Sequence, residues 1–127
     1  MDERDQALEG LGITVSDVGS GTATAQMLVA PHMANRHGVC HGGLLFLLAD
    51  AAMDYATNDA AGDDQVALAA HAEADFVKAA NVGDTLTAVG TIAHSWGRSN
   101  LFDAVVSDQD GNTVVHFRGR TRTINKR

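Results

Sequence analysis

A chain of 127 residues, 45% of them apolar, has room for one hydrophobic core and needs neither a disulfide nor a structural metal to fold. Its single cysteine, Cys40, excludes an internal disulfide, and a net charge of −7 has the wrong sign for general binding to nucleic acid. The start Met1-Asp2-Glu3-Arg4-Asp5 is acidic with no apolar stretch behind it, and the longest apolar run, Leu44 to Ala49, falls far short of the roughly 20 residues of a membrane span. These features predict one cytoplasmic domain over 1–127 with no membrane or nucleic-acid partner.

The elements follow in chain order. Residues 5–11 predict a short helix. Residues 22–29 alternate Ala23, Ala25, Met27 and Val29 against Thr22, Thr24, Gln26 and Leu28, the pattern of a half-buried strand. Residues 30–41 are irregular and rich in His, Asn and Gly. Gly42-Gly43 then opens a helix to about Ala60, apolar nearly all round through Leu44, Leu45, Phe46, Leu47, Leu48 and Ala49, which predicts enclosure by the rest of the fold. After Gly62-Asp63-Asp64 come four strand-like runs at 66–78, 85–95, 100–107 and 113–124. In the first, Ala70, Ala72, Ala74 and Phe76 alternate with His71, Glu73 and Asp75. Gly97-Arg98 and Asp110-Gly111 mark the turns before the last two. Five strands joined by short turns and one apolar helix predict an α+β architecture. The economical form is a curved antiparallel sheet wrapped around the helix, the hotdog arrangement. A two-layer sandwich is the alternative, although it leaves one side of this helix in water.

The chemistry concentrates between Asn35 and Asp50. Glycines at a helix start leave backbone N–H groups open to a ligand, and those groups favour the negative charge that develops when a carbonyl is attacked. Asp50 is a carboxylate in the most apolar stretch of the chain, a placement typical of a paired, protonated or functional group. At about 1.5 Å per residue, Gly42 and Asp50 lie roughly 12 Å apart along the helix, too far to serve one carbonyl carbon together. Two chains with helices side by side about a two-fold axis remove the difficulty, because Gly42 of one then faces Asp50 of the other.

The run Asn35-x-x-Gly38-x-x-His41-Gly42-Gly43, followed after six residues by Asp50, resembles the signature of hotdog-fold acyl-CoA thioesterases, and within them the phenylacetate-pathway (PaaI-type) branch. Ala56, Asn58, Asp75-Phe76, Gly83 to Ala88 and Phe117-Arg118-Gly119 extend the likeness over about residues 8–125. The resemblance implies an acyl-CoA substrate, with phenylacetyl or a hydroxylated derivative as the acyl group. It implies Asp50 as base or nucleophile, Gly42 as the carbonyl polariser, Asn35 placing the carbonyl or water, and His41 orienting the loop. It also implies a homotetramer of paired dimers with shared sites, and no metal or other cofactor. Some relatives carry a hydroxyl on the strand facing the aspartate. This chain has Ala69 there, with His71 and Asp54 as the candidates to replace it.

Each signal has a plainer counterpart. Asn35 can cap a turn, and Gly42-Gly43 can mark close packing. His32, His37, Cys40 and His41 suggest zinc, but the glycines around them break the helix that the His37–His41 spacing needs. Cys40 as a nucleophile requires a histidine near it in space. Arg118, Arg120 and Arg122 share a strand face that is by default solvated, and that offers CoA phosphates a basic edge together with Lys126 and Arg127. Trp96 and Arg98 anchor a turn or meet adenine. Two rivals to hydrolysis remain. A non-catalytic acyl-CoA-binding hotdog protein has no need of both Asp50 and Asn35. A hotdog enoyl-CoA hydratase or dehydratase needs an Asp–His pair not found in the expected form.

Overall fold

The computed structural model describes residues 4–126; Met1, Asp2, Glu3 and Arg127 lie outside that range. Asp5 caps the first helix, α1 (Gln6–Gly10), by accepting from Leu8 N–H at 3.1 Å, and buried Leu8 seats it on the core. Strands β1 (Thr14–Gly19) and β2 (Thr22–Leu28) follow. Then come a 3-10 turn at Pro31–Met33, helix α2 (Gly42–Ala60), and strands β3 (Gln65–Phe76), β4 (Thr85–Trp96), β5 (Ser99–Ser107) and β6 (Thr113–Asn125).

All six strands join one antiparallel sheet in the order β1-β2-β4-β5-β6-β3. Its inner face is built from Ala23, Ala25, Met27, Leu86, Ala88, Phe102, Ala104, Val106, Val115 and Phe117, all buried. Helix α2 lies across it and touches every strand. The curved sheet wrapped on one long helix matches the expected architecture, and β2, α2 and β4 to β6 fall within a residue or two of their expected limits.

Three features depart from expectation. Strand β1 makes the count six rather than five. Its period-two pattern is broken because Asp17 takes a left-handed backbone (φ 52°) and the register slips between Ser16 and Gly19. Strand β3 does not pair with β4, its successor in sequence. It crosses to the far edge and pairs with β6 along its whole length. The enclosure of α2 is also incomplete within the chain, because the sheet covers only one side. Leu45, Leu48, Ala49, Ala52, Met53 and Ala56 are buried beneath it. Gly43, Leu47, Asp50 and Asp54, spaced four, three and four residues apart, form a stripe that stays exposed or half-buried.

Glycine matters at two points of close approach. A Cβ on Gly90 would run into the Phe102 ring, and one on Gly119 into the sulfur of Met53. These two positions let the core side chains of β5 and α2 lie flat against the sheet.

Candidate active site

The loop between β2 and α2 is organised by Asn35. Its side-chain oxygen accepts from His37 N–H at 2.8 Å and Val39 N–H at 3.4 Å, while its backbone N–H donates to Val39 O at 2.7 Å. The plainer reading of Asn35 as a turn former therefore holds for the oxygen, and the amide nitrogen remains available as a donor. The loop is pinned at its end as well. Cys40 N–H donates to Ala80 O, and His41 N–H to Met33 O. His41 is the N-cap residue of α2, and its carbonyl accepts from Leu44 and Leu45 N–H. Its effect on the loop runs through the backbone.

Beyond this cap the N–H groups of Gly42 and Gly43 have no acceptor among the described residues. They stand at the positive end of a 19-residue helix, a site that favours an oxyanion. Phe76, at the end of β3, lies over Gly42: a Cβ there would meet the ring at 3.3 Å. Sequence reasoning missed this contact. Its traces were Phe76 closing the alternation of β3 and the family likeness at Asp75-Phe76.

Asp50 lies about two turns along α2, half-buried, and its carboxylate has no hydrogen-bond or ion-pair partner among the described residues. Burial raises its pKa above the ordinary value, since the charged form loses hydration without compensation. Asp54, one turn further, is also raised, first by burial and then by the charges of Asp50 and Asp5, with the Asn58 hydrogen bond acting in the opposite sense.

Asn58 is a further residue the sequence did not single out for a role. Its amide donates to Asp54 Oδ1 at 2.9 Å and to Ala67 O at 3.0 Å, and its oxygen accepts from Ala67 N–H at 2.9 Å. That side chain therefore ties the start of β3 to the end of α2. With Phe76 over Gly42 at the other end, β3 runs antiparallel along the helix. Among the polar residues Asp54, Thr57 and Asp59 around it in the last turns of α2, nothing local in the sequence marked it out.

The remaining candidates divide between the two faces of the sheet. The register of β3 shifts between Ala69 and His71, so Ala69 pairs with Thr121 while His71 pairs with Arg120. Thr121 and Gly119 are buried towards α2, which puts Ala67, Ala69, Ala72 and Ala74 on the inner face and His71 on the outer one. His71 and Ala69 therefore do not share a face as simple alternation predicts, because a bulge at Ala70 inverts the order.

Arg118, Arg120 and Arg122 also lie on the outer face, separated from Asp50 by the sheet. Arg118 is held by Asp103 in a two-pronged ion pair at 2.6 and 3.0 Å. Trp96 stacks on His94 with ring centroids 5.7 Å apart. Cys40 is buried, and burial raises its thiol pKa, the reverse of what a nucleophile requires. His32, His37, His41 and Cys40 do not converge, and no three His, Cys, Asp or Glu side chains do so among the described residues.

Residues 37–115, which span the end of this loop, the helix and most of the sheet, match the sequence profile of the thioesterase superfamily. The chain belongs to the thioesterase superfamily. Within it, the chain is 36% identical over 124 residues to the acyl-coenzyme A thioesterase PaaI of Escherichia coli, an alignment covering 98% of this chain and 86% of that protein. The solved structure of the E. coli PaaI protein, from the phenylacetic acid degradation operon, superposes with a TM-score of 0.91 over 98% of this chain and 88% of that one, at 35% identity. A phenylacetic acid degradation protein PaaI from Thermus thermophilus superposes at 0.86 with 26% identity, over 93% and 98% of the two chains. The chain thus has the hotdog fold, falls in the PaaI-type branch and is a thioester hydrolase. No helix among the described residues is long and apolar enough to cross a membrane.

Proposed function

We propose that this thioesterase hydrolyses acyl-CoA, with an arylacetyl group such as phenylacetyl or a hydroxylated derivative, to the free acid and CoA. The observation that carries the reading is the combination of N–H groups at Gly42 and Gly43 and a half-buried carboxylate at Asp50, none of which has a hydrogen-bond partner among the described residues. Hydrolysis requires a donor for the developing oxyanion and a group that activates water or attacks the carbonyl carbon. The E. coli relative's name and operon support the CoA ester and the arylacetyl group. The Asn35 amide donates to the carbonyl or the water, and His41 sets the loop through its backbone.

The site is shared by two copies. Gly42 and Asp50 are about 12 Å apart on one helix, and two antiparallel helices bring them level when the two-fold axis passes near Phe46. The open stripe of α2 fits a second helix. The free edge of β3, 12 residues long with Leu68 and Phe76 exposed, fits continuation of the sheet into the partner. Two such dimers form a tetramer in the cytoplasm. Arg118, Arg120 and Arg122 are assigned to the solvated outer face.

The test is release of free thiol from a panel of CoA thioesters by the purified protein, with Asp50→Asn as reference. Turnover of arylacetyl-CoA well above that variant is expected. Tight binding of CoA esters without thiol release would identify a binding protein instead.

A further inference from the structure

Hydrolysis by a general base needs more than the base. A water molecule has two hydrogens, and a water held by one hydrogen bond alone is free to swing away from the carbonyl. The side chains along the open stripe of α2 leave few groups for the second bond. The inner face of β3 beside it is alanine at 67, 69, 72 and 74, and the bulge at Ala70 turns His71 to the opposite face. The Asn58 amide is fully engaged with Ala67 and Asp54, and the Asn35 oxygen is consumed by its own turn. Thr57 is buried and donates to Met53 O.

Asp54 remains. It lies four residues from Asp50 on the same stripe, where β-carbons are about 5–6 Å apart. A water bonded at about 2.8 Å to each carboxylate spans that gap. One oxygen of Asp54, Oδ1, accepts from Asn58 at 2.9 Å, and Oδ2 has no donor among the described residues. Asn58 is itself anchored to β3, so the carboxylate is held from the side away from Asp50.

We propose that Asp54 is a second catalytic carboxylate, which holds the attacking water against Asp50 through its free Oδ2, and that Asn58 positions it. This rests on Asp50 acting at the thioester carbonyl, and within that reading it favours Asp50 as base over nucleophile. The water donates one hydrogen to each carboxylate. Asp50 takes its proton as the water oxygen bonds to the carbonyl carbon, and the carbonyl electron pair moves onto the oxygen facing the Gly42 N–H. Collapse of that adduct breaks the carbon–sulfur bond, and the sulfur leaves with the pair and receives the proton from Asp50. Asp54 ends unchanged. The charged or titratable groups around it are Asp50, whose charge it feels along the helix, and Tyr55, Asp59, Arg4 and Asp5, which with Asp54 itself and Val18 of β1 line an open cavity of about 650 Å³.

The experiment compares full-length wild type, Asp54→Ala, Asp54→Ser and Asp54→Ala/Ala69→Ser on one arylacetyl-CoA, with Asp50→Asn in parallel. Asp54→Ala should lower kcat about 10- to 100-fold, the worth of one charge-assisted hydrogen bond, with KM within twofold. Its acid limb should move to lower pH, because a like charge beside Asp50 has been removed. A hydroxyl at 54, or on the inner face of β3 at 69, should restore part of kcat; this rescue distinguishes water-holding from a structural role. Asp54→Ala with wild-type kcat and an unmoved acid limb overturns the proposal while Asp50→Asn remains inactive. An active Asp50→Asn overturns the underlying reading instead. If Asp54→Ala does not fold, Asp54→Ser carries the same comparison, and an unchanged kcat and acid limb in that variant also overturn the proposal.

Discussion

At the scale of single residues, Asp50 is where function and stability oppose one another. Its pKa is raised by burial, so the folded state binds a proton more tightly than the unfolded chain. The ionised carboxylate therefore costs stability, fully so above the raised pKa, and the cost disappears as pH falls below the ordinary value of about 4. Asp50→Asn should abolish nearly all turnover and raise the melting temperature at neutral pH, with the gain vanishing towards pH 3. A variant that keeps a tenth of wild-type activity would remove Asp50 from the chemistry. The same shift places the acid limb of kcat/KM above the usual carboxylate range, which a pH–rate profile reads directly. The importance of Asp50 was legible because a charge in the middle of an apolar helix breaks the local pattern. That of Asn58 was not, because its partner Ala67 is an alanine nine residues on whose backbone does the bonding.

At the scale of elements, the loop carrying Asn35 to His41 leans on the segment after β3. Val39 bridges to Asn81, and Cys40 bonds to Ala80. That segment is fastened by Lys78, which pairs with buried Asp108 of the β5–β6 hairpin at 2.7 Å. The Lys78 ammonium and the N–H groups of Asn112 and Asp110 hold the Asp108 carboxyl down at about 2. A lowered folded pKa contributes stability above the unfolded value of about 4 and loses it as pH falls towards 2. Lys78→Met should lower the melting temperature by several degrees at neutral pH, and the difference from wild type should close between pH 4 and 2. Thermal melts across that range check both halves. Inside the sheet, Gly90→Ala drives a methyl group into Phe102 and should cost about 1–3 kcal/mol in denaturant unfolding. Period-two alternation located β2, β4, β5 and β6 because each has one buried and one solvated face. It failed at β1 and midway along β3, where an irregular residue inverts the order that alternation assumes.

At the scale of the whole molecule, a shared site predicts complementation. Asp50→Asn mixed with Asn35→Ala/Gly42→Pro should, after subunit exchange, yield dimers with one doubly damaged and one intact site. About half the dimers are mixed at random, so roughly a quarter of wild-type activity should return. Gly42 is the first residue of α2, where proline suits the helix and removes the N–H, but its ring also presses on Phe76, so the variant is first shown to fold and to exchange subunits. Absence of recovery in exchanged, folded mixtures would mean that each chain builds its own site. The outer-face arginines predict the contrary of a phosphate cradle. Neutralising Arg118, Arg120 and Arg122 together should change hydrolysis of CoA esters and of N-acetylcysteamine thioesters by the same factor, within about twofold. A selective loss on CoA esters would bring that face, through a neighbouring copy, into the binding site.

By itself the sequence determined what depends on short-range pattern: the limits of α2, the inner faces of four strands, and the loop of glycines and asparagine that opens the helix. These follow from periodicity and from residue types whose backbone preferences act locally. Only the tertiary structure decided which face each polar side chain occupies and which distant groups meet. The crossing of β3 to pair with β6, the bulge at Ala70, the clamp from Asn58 to Ala67 and the pairing of Arg118 with Asp103 join residues 9 to 60 positions apart. Such contacts are selected by burial and backbone hydrogen bonding over the whole sheet. The residues at either end carry no local trace of the partner they will meet.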